Sequence, residues 1–239
     1  MKTFTAIDIE TTGLDPIKDT IIEIGAARYI EGVLADTFVA LINPRIRLPR
    51  RITEITGITD DMLTHERTYE EVIPEFLEFI GDDILIGHNI KFDFSFLKVH
   101  AARLKRPFDH RVIDTLFLAK KLHSDLASRS LSAMCEHYKI VNEQAHRAYE
   151  DAKTCAELYL QMHDRFFSTN KDIFKDNSIY YKVKKEEPIT TKQKMYLNDM
   201  IKYHKINLEM PIEELTKSEA SRLIDKIILK YGRMTTRYT

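Results

Sequence analysis

The chain opens on an apolar run, Lys2–Glu10 (KTFTAIDIE), that carries carboxylates at alternate positions, Asp8 and Glu10. Phe4, Ala6, Ile7 and Ile9 make it read as a buried strand. Side chains alternate between the faces of a strand, so Asp8 and Glu10 project from the same face. Two bare carboxylates so close repel each other, and taking them out of water is costly unless a cation lies between them. The competing explanation is a solvated strand end entering the turn at Thr12-Gly13. A fold built on this strand must therefore wet its end or build a cation site around it.

Two further apolar runs follow, Thr20–Ile30 and Val33–Ile42, with Glu31-Gly32 between them as a tight hairpin turn. Three strands joined by short turns predict an antiparallel meander. Helical periodicity then takes over: Val72, Ile73, Phe76, Leu77 and Ile80 predict a helix over 69–80, stopped by Gly81. Short strands are expected at 84–86 and 112–114, with helices at 92–104, 115–122, 131–137 and 147–167. Strands followed by alternating helix and strand predict an α/β fold, a mixed sheet flanked by helices. Residues 169–188 lack periodicity and read as a linker or ordered crossover. Beyond Pro188, amphipathic stretches at 191–203 and 217–231 predict a small helical C-terminal module over 189–232, with a tail at 233–239.

Composition excludes several classes. No apolar run reaches the roughly 20 residues that span a bilayer. Met1-Lys2-Thr3-Phe4 passes straight into the strand, so no signal peptide is expected. Cys135 and Cys155 form no CxxC pair, which argues against a disulfide framework or zinc site and for a reducing, cytoplasmic setting. The net charge of −1 hides an asymmetry: residues 171–239 hold 15 Lys+Arg against 10 Asp+Glu, leaving 21 against 27 in residues 1–170. An acidic unit that handles nucleic acid must offset its own field with metal ions or local basic patches.

Two more contexts carry chemistry: His88-Asn89-Ile90-Lys91-Phe92-Asp93 and His146-Arg147-Ala148-Tyr149-Glu150-Asp151. Asp93 and Asp151 each fall near a predicted helix start, where a carboxylate also complements the helix dipole. His146 lies five residues before Asp151 and would face the same site more readily from a loop preceding the helix. Carboxylates gathered from distant parts of a chain suit hard divalent cations, and an added histidine suggests a general base.

In order and context, these residues resemble the DEDDh-type 3′→5′ exonucleases, the DnaQ-like family that includes the proofreading epsilon subunit of bacterial DNA polymerase III. Asp8, Glu10, Asp93 and Asp151 match the four acids, and His146 matches the final letter. The sibling class has a tyrosine four residues before the last acid, where this chain has Arg147. The resemblance covers about residues 1–168 and includes Ile55-Thr56-Gly57-Ile58-Thr59.

The resemblance implies a ribonuclease H-like fold and two Mg²⁺ or Mn²⁺ ions. Asp8 would bridge both ions, Glu10 and Asp151 would hold the first, and Asp93 would help hold the second. His146 would take the proton of the attacking water, and the product would be a nucleoside 5′-monophosphate. The family likeness also puts Thr11, Leu14, His88, Asn89 and Phe92 beside the terminal nucleotide. Taken singly, Leu14 and Phe92 read more readily as core residues. The expected substrate is a single-stranded or frayed DNA 3′ end, with a polymerase subunit or other replication or repair protein as partner. The alternatives are an RNA 3′-end-trimming exoribonuclease and a non-catalytic nucleic-acid-binding scaffold on the same fold.

Secondary signals are weaker. The loop Arg45–Arg51 is basic enough to touch phosphates. Gln161 with Phe166-Phe167 suggests a sliding-clamp peptide, but Asp164 occupies an apolar position of that motif. Tyr180, Tyr181, Tyr196 and Tyr203 suit either base stacking or helix packing.

Overall fold

The computed structural model describes residues 3–142, 145–183, 187–208 and 211–234. The chain divides into two compact units, Met1–Val183 and Lys184–Thr239. The first is built on a six-stranded mixed sheet of β1 (Phe4–Thr11), β2 (Ile21–Ile30), β3 (Val33–Leu41), β4 (Leu85–Gly87), β5 (Arg111–Asp114) and β6 (Asn177–Ser178), in the order β3-β2-β1-β4-β5-β6. β1, β2 and β3 form the antiparallel meander, and β4 and β5 run parallel to β1. The β2–β3 turn has Glu31 at φ 53° and Gly32 at φ 80°, the two positive values that match a tight hairpin to the twist of its strands.

Central β1 is covered on both faces. Ile7 and Ile9 enter one core with α3 (Tyr69–Ile80) and α4 (Lys91–Arg103). Phe4 and Ala6 enter the other with α5 (Thr115–Leu122), α6 (Leu131–Tyr138) and α7 (Ala148–Phe166). The same alternation turns Asp8 and Glu10 toward the α7 side. The carboxyl ends of β1, β4 and β5 lie together where the connections leave in opposite directions, the place where open α/β sheets bind ligands.

Two short helices, α1 (Arg50–Thr56) and α2 (Asp60–Leu63), lie between β3 and α3, the first beginning inside the expected loop Arg45–Arg51 and both in a stretch where the sequence predicted no element. Gly57 turns the chain between them at φ 71°, a value that favours glycine. Thr59 then caps α2 by accepting from Met62 N, and Ile58 is fully buried beneath them. The segment expected as a linker, 169–188, contributes a 3₁₀ turn, Lys171–Phe174, and the edge strand β6 to the first unit. Residues 184–186 of that segment lie outside the described residues, as does the expected tail from 235 onward.

The second unit contains α8 (Thr191–His204) and α9 (Lys217–Tyr231), each started by a complete capping box, Thr190 with Gln193 and Thr216 with Glu219. Leu197, Met200, Ile212, Leu215, Ala220 and Ile227 form its small core. Among the described residues, no helix is long and apolar enough to cross a membrane.

α7 sits unusually close to β2. A Cβ added at Gly25 would lie 2.1 Å from the backbone N of Tyr149 and 2.2 Å from the backbone C of Ala148. Gly25→Ala is therefore expected to force α7 off the sheet and cost about 3 kcal/mol. Urea unfolding measures this directly, and an unchanged midpoint would contradict the close approach.

Candidate metal and catalytic site

Each acidic side chain reaches the site from a different element. Asp8 and Glu10 project from β1, where the pairing register with β2 shifts between Glu10 and Thr11. Such an irregularity re-aims side chains at the end of a strand. Asp93 lies in the first turn of α4, 3% exposed, and its Oδ1 accepts from the backbone N of Ile9 at 3.1 Å. That bond fastens the start of α4 to β1 between the two strand carboxylates. Asp151 lies in the first turn of α7. Its Oδ1 accepts from Asn142 Nδ2 at 2.6 Å and its Oδ2 from the backbone N of His146 at 2.9 Å.

His146 occupies the turn before α7, exposed and with φ at 66°. A non-glycine residue at that φ is strained, and the bond from its own N–H to Asp151 helps hold it. One ligand atom each from Glu10, His146 and Asp151 lie within 4.8 Å of one another. The turn thus brings His146 to the same place as Asp151, which five helical steps would not have done.

The electrostatics of the cluster are those of unneutralised negative charge. Burial first, then Asp93, Asp151, Glu10 and Glu23, holds the Asp8 carboxyl well above the usual carboxylate range. Burial, then Asp151, Glu23 and Asp93, pushes Glu10 up to about 8, against a small opposing pull from Arg147. Burial pushes Asp93 to about 8 although hydrogen bonds from its own backbone and from Ile9 favour the charged form.

Arg147 relieves little of this charge, because its guanidinium is committed to Glu23. Its guanidinium donates from Nη2 to Glu23 Oε1 at 2.7 Å and from Nε to Oε1 at 3.1 Å, while the backbone N of Ala148 donates to Glu23 Oε2 at 3.1 Å. Glu23 is 1% exposed. It pairs with Glu10 across β1 and β2, so it pins the start of α7 to the sheet directly beside the site. The sequence offered one signal for Glu23, as the lone acid in IIEIGAARYI, but its partner is 124 residues away. Arg147→Met leaves a buried charge unpaired and is expected to cost about 3 kcal/mol, the low end for such breaks because the guanidinium side chain keeps 34% of its surface in water. Thermal unfolding of Arg147→Met against Glu23→Gln/Arg147→Met tests this, and the double variant should recover part of the loss.

The residues expected beside the terminal nucleotide are placed unequally. Leu14 is 83% exposed, which corrects the reading of it as a core residue; the turn after β1 turns it outward. Phe92 is half-buried and packs on Phe96 with ring centroids 5.0 Å apart. The Thr11 hydroxyl donates to the carbonyl of Gly13 at 2.6 Å. Asn89 is exposed at φ 69°, its backbone N donating to Asp114 Oδ1 at 2.9 Å. Both ring nitrogens of His88 are engaged, Nδ1 with Thr115 Oγ1 at 2.9 Å and Nε2 with the Arg129 carbonyl at 2.8 Å. Burial holds its pKa below the usual histidine value. In this arrangement His88 braces β4 against α5, and Leu14 and Asn89 are the members open to solvent. The basic loop is largely paired with carboxylates of the helices that follow it: Arg45 with Glu70, Arg47 with Asp60 and Arg50 with Glu54.

The donor set fits hard divalent cations. It is all carboxylate oxygen apart from one imidazole at the rim, and three of its acids are held above their ordinary pKa by burial and mutual repulsion, which a bound cation would relieve.

Known proteins resemble this chain in sequence and fold. The model of the RNase_T exonuclease family matches residues 5–159. The DNA polymerase III subunit epsilon of Aquifex aeolicus is 37% identical over 161 residues, covering 67% of this chain and 80% of that protein. The PolC-type DNA polymerase III of Caldanaerobacter subterraneus subsp. tengcongensis is 42% identical over 159 residues, 66% of this chain, but the match spans only 11% of that polymerase. The nuclease domain of 3′hExo, a DEDDh family member, superimposes with a TM-score of 0.62 at 20% identity over 74% of this chain and 96% of that domain. The ribonuclease H-like sheet with its flanking helices is thus shared with that domain. With the family model covering most of the first unit and the epsilon relative most of its own length, the chain belongs to the RNase_T exonuclease family.

Proposed function

We propose that this protein is a divalent-metal-dependent 3′→5′ exonuclease that removes nucleoside 5′-monophosphates from single-stranded or frayed DNA 3′ ends. The observation that carries this reading is the convergence of Glu10, Asp151 and the exposed His146 within 4.8 Å, beside Asp8 and Asp93. Asp8, Glu10, Asp93 and Asp151 would hold the metal. Bound Mg²⁺ or Mn²⁺ would supply positive charge to the scissile phosphate and the leaving 3′ oxygen. His146, at the solvent edge of the cluster, takes the proton of the attacking water. Asn142 and the His146 N–H fix the Asp151 carboxylate. Leu14, apolar and outward, offers a wedge against the terminal base, and Asn89 a polar contact beside it.

The direction of attack rests on the match of five residue types to the DEDDh order. DNA is favoured by the polymerase III relatives, and a docked polymerase would make the activity proofreading. One observation favours a second reading, RNA 3′-end trimming: the 3′hExo nuclease domain was solved bound to rAMP. A panel of 5′-labelled single-stranded DNA, matched and mismatched primer–template and RNA of the same sequence separates them. DNA shortened at least 10-fold faster than RNA supports the first reading, and the reverse order overturns it.

A further inference from the structure

We infer that the second unit carries a single-stranded nucleic-acid-holding patch at the shared end of its two helices. The helices finish on closely similar sequences, Lys202-Tyr203-His204-Lys205 for α8 and Lys230-Tyr231-Gly232-Arg233 for α9. The fold brings these ends together. His204 meets Tyr203 with ring centroids 4.8 Å apart and Tyr231 with centroids 5.6 Å apart, so the three rings run in series across the end of the unit. Tyr203 and Tyr231 are 51% and 45% exposed, and the Lys230 ammonium lies 5.1 Å from the Tyr231 ring centroid.

Lys202, Lys205, Lys230 and Arg233 are all exposed, and each lies within two residues of one of these rings in the sequence. Residues 201–206 and 228–234 contain no acid, and the preceding carboxylates on the two helices are Asp199 and Asp225, back along each helix. Cations at a helix end complement its dipole, which accounts for one or two of them. It does not account for two half-exposed tyrosines set between four cations. Aromatic faces among phosphate-seeking side chains are what a flexible single strand recognises: bases stack on the rings and the backbone runs past the cations. A rigid duplex hides its base faces and cannot use the rings, so the occupant is a single strand. The patch deepens the proposed function, since it rests on that reading for its biological use, as a hold on the strand being trimmed.

The test uses the full chain carrying Asp8→Asn, with EDTA present, so that binding is read whether or not the first unit cuts DNA. The probe is a fluorescent 30-nucleotide oligo(dT), followed by anisotropy over a range of salt concentrations. Lys202→Glu/Lys230→Glu should weaken binding about 10-fold or more and flatten the salt dependence by about 1.4 in log–log slope. Tyr203→Ala/Tyr231→Ala should weaken it about 10-fold, and Tyr203→Phe/Tyr231→Phe should restore most of the loss because the stacking face returns. Blunt duplex DNA should show the charge effect without the tyrosine effect. Unchanged affinity and slope in the lysine pair overturn the proposal. So does a tyrosine effect equal on duplex and single strand, or a change in self-association by sedimentation in place of DNA affinity.

Discussion

Asp8→Asn is expected to abolish nuclease activity, roughly 10³-fold or more, while raising the thermal stability of the metal-free protein. Both effects have the same cause. Asp8 is the carboxyl on which burial and the charges of Asp93, Asp151, Glu10 and Glu23 converge. An amide there would remove a proposed metal ligand and the repulsion together. A carboxyl whose folded pKa exceeds its unfolded value stabilises the fold while protonated and loses that contribution as pH rises through the folded value. With Glu10 and Asp93 both near 8, against roughly 4 unfolded, the metal-free protein should lose stability between about pH 4 and pH 8. Mn²⁺ or Mg²⁺ should restore it most at the upper end of that window. Asp8→Asn should flatten the decline, with roughly 2–4 °C in Tm for each kcal/mol of repulsion relieved. Melting curves with EDTA and with Mn²⁺ at pH 5.5 and pH 8 measure this. A metal-induced shift no larger at pH 8 than at pH 5.5 would count against the electrostatic account.

The second large effect is expected at His146. His146→Ala should lower kcat about 10²–10⁴-fold through loss of the general base. The alanine keeps the backbone N–H that donates to Asp151 Oδ2, so the carboxylate stays in place. The half-activating Mg²⁺ concentration separates two roles for a ring that lies within 4.8 Å of Glu10 and Asp151 donors. A general base leaves that concentration nearly unchanged, whereas a metal ligand would raise it about 10-fold or more. His146→Gly, which suits φ 66°, should be at least as stable as wild type and as inactive as His146→Ala.

Periodicity made some of this legible and topology hid the rest. The shared face of Asp8 and Glu10 follows from strand alternation alone, and the helix over 69–80 has the bounds its apolar spacing predicts. Asp93 and His146 were not placeable in this way. Asp93 meets β1 through a bond to Ile9 spanning 84 residues, and His146 depends on a left-handed turn that has no period. Leu14, isolated from its turn, has the composition of a core residue, yet it is exposed. α1 and α2, at 7 and 4 residues, are too short to show a pattern among the arginines and proline around them. β6 is two residues held by pairing with β5, and Glu23 is defined by a partner far along the chain. Asp93, β6 and Glu23 each depend on a neighbour distant in sequence, which local propensity does not encode.

The most direct test of the account follows 5′-labelled single-stranded DNA in Mg²⁺ and resolves both the shortening strand and the released product. The expected result is a ladder receding from the 3′ end, nucleoside 5′-monophosphate as product, and no reaction with EDTA or with Asp8→Asn. Intact DNA under conditions where a known exonuclease digests it, or cleavage that survives both EDTA and Asp8→Asn, would contradict it.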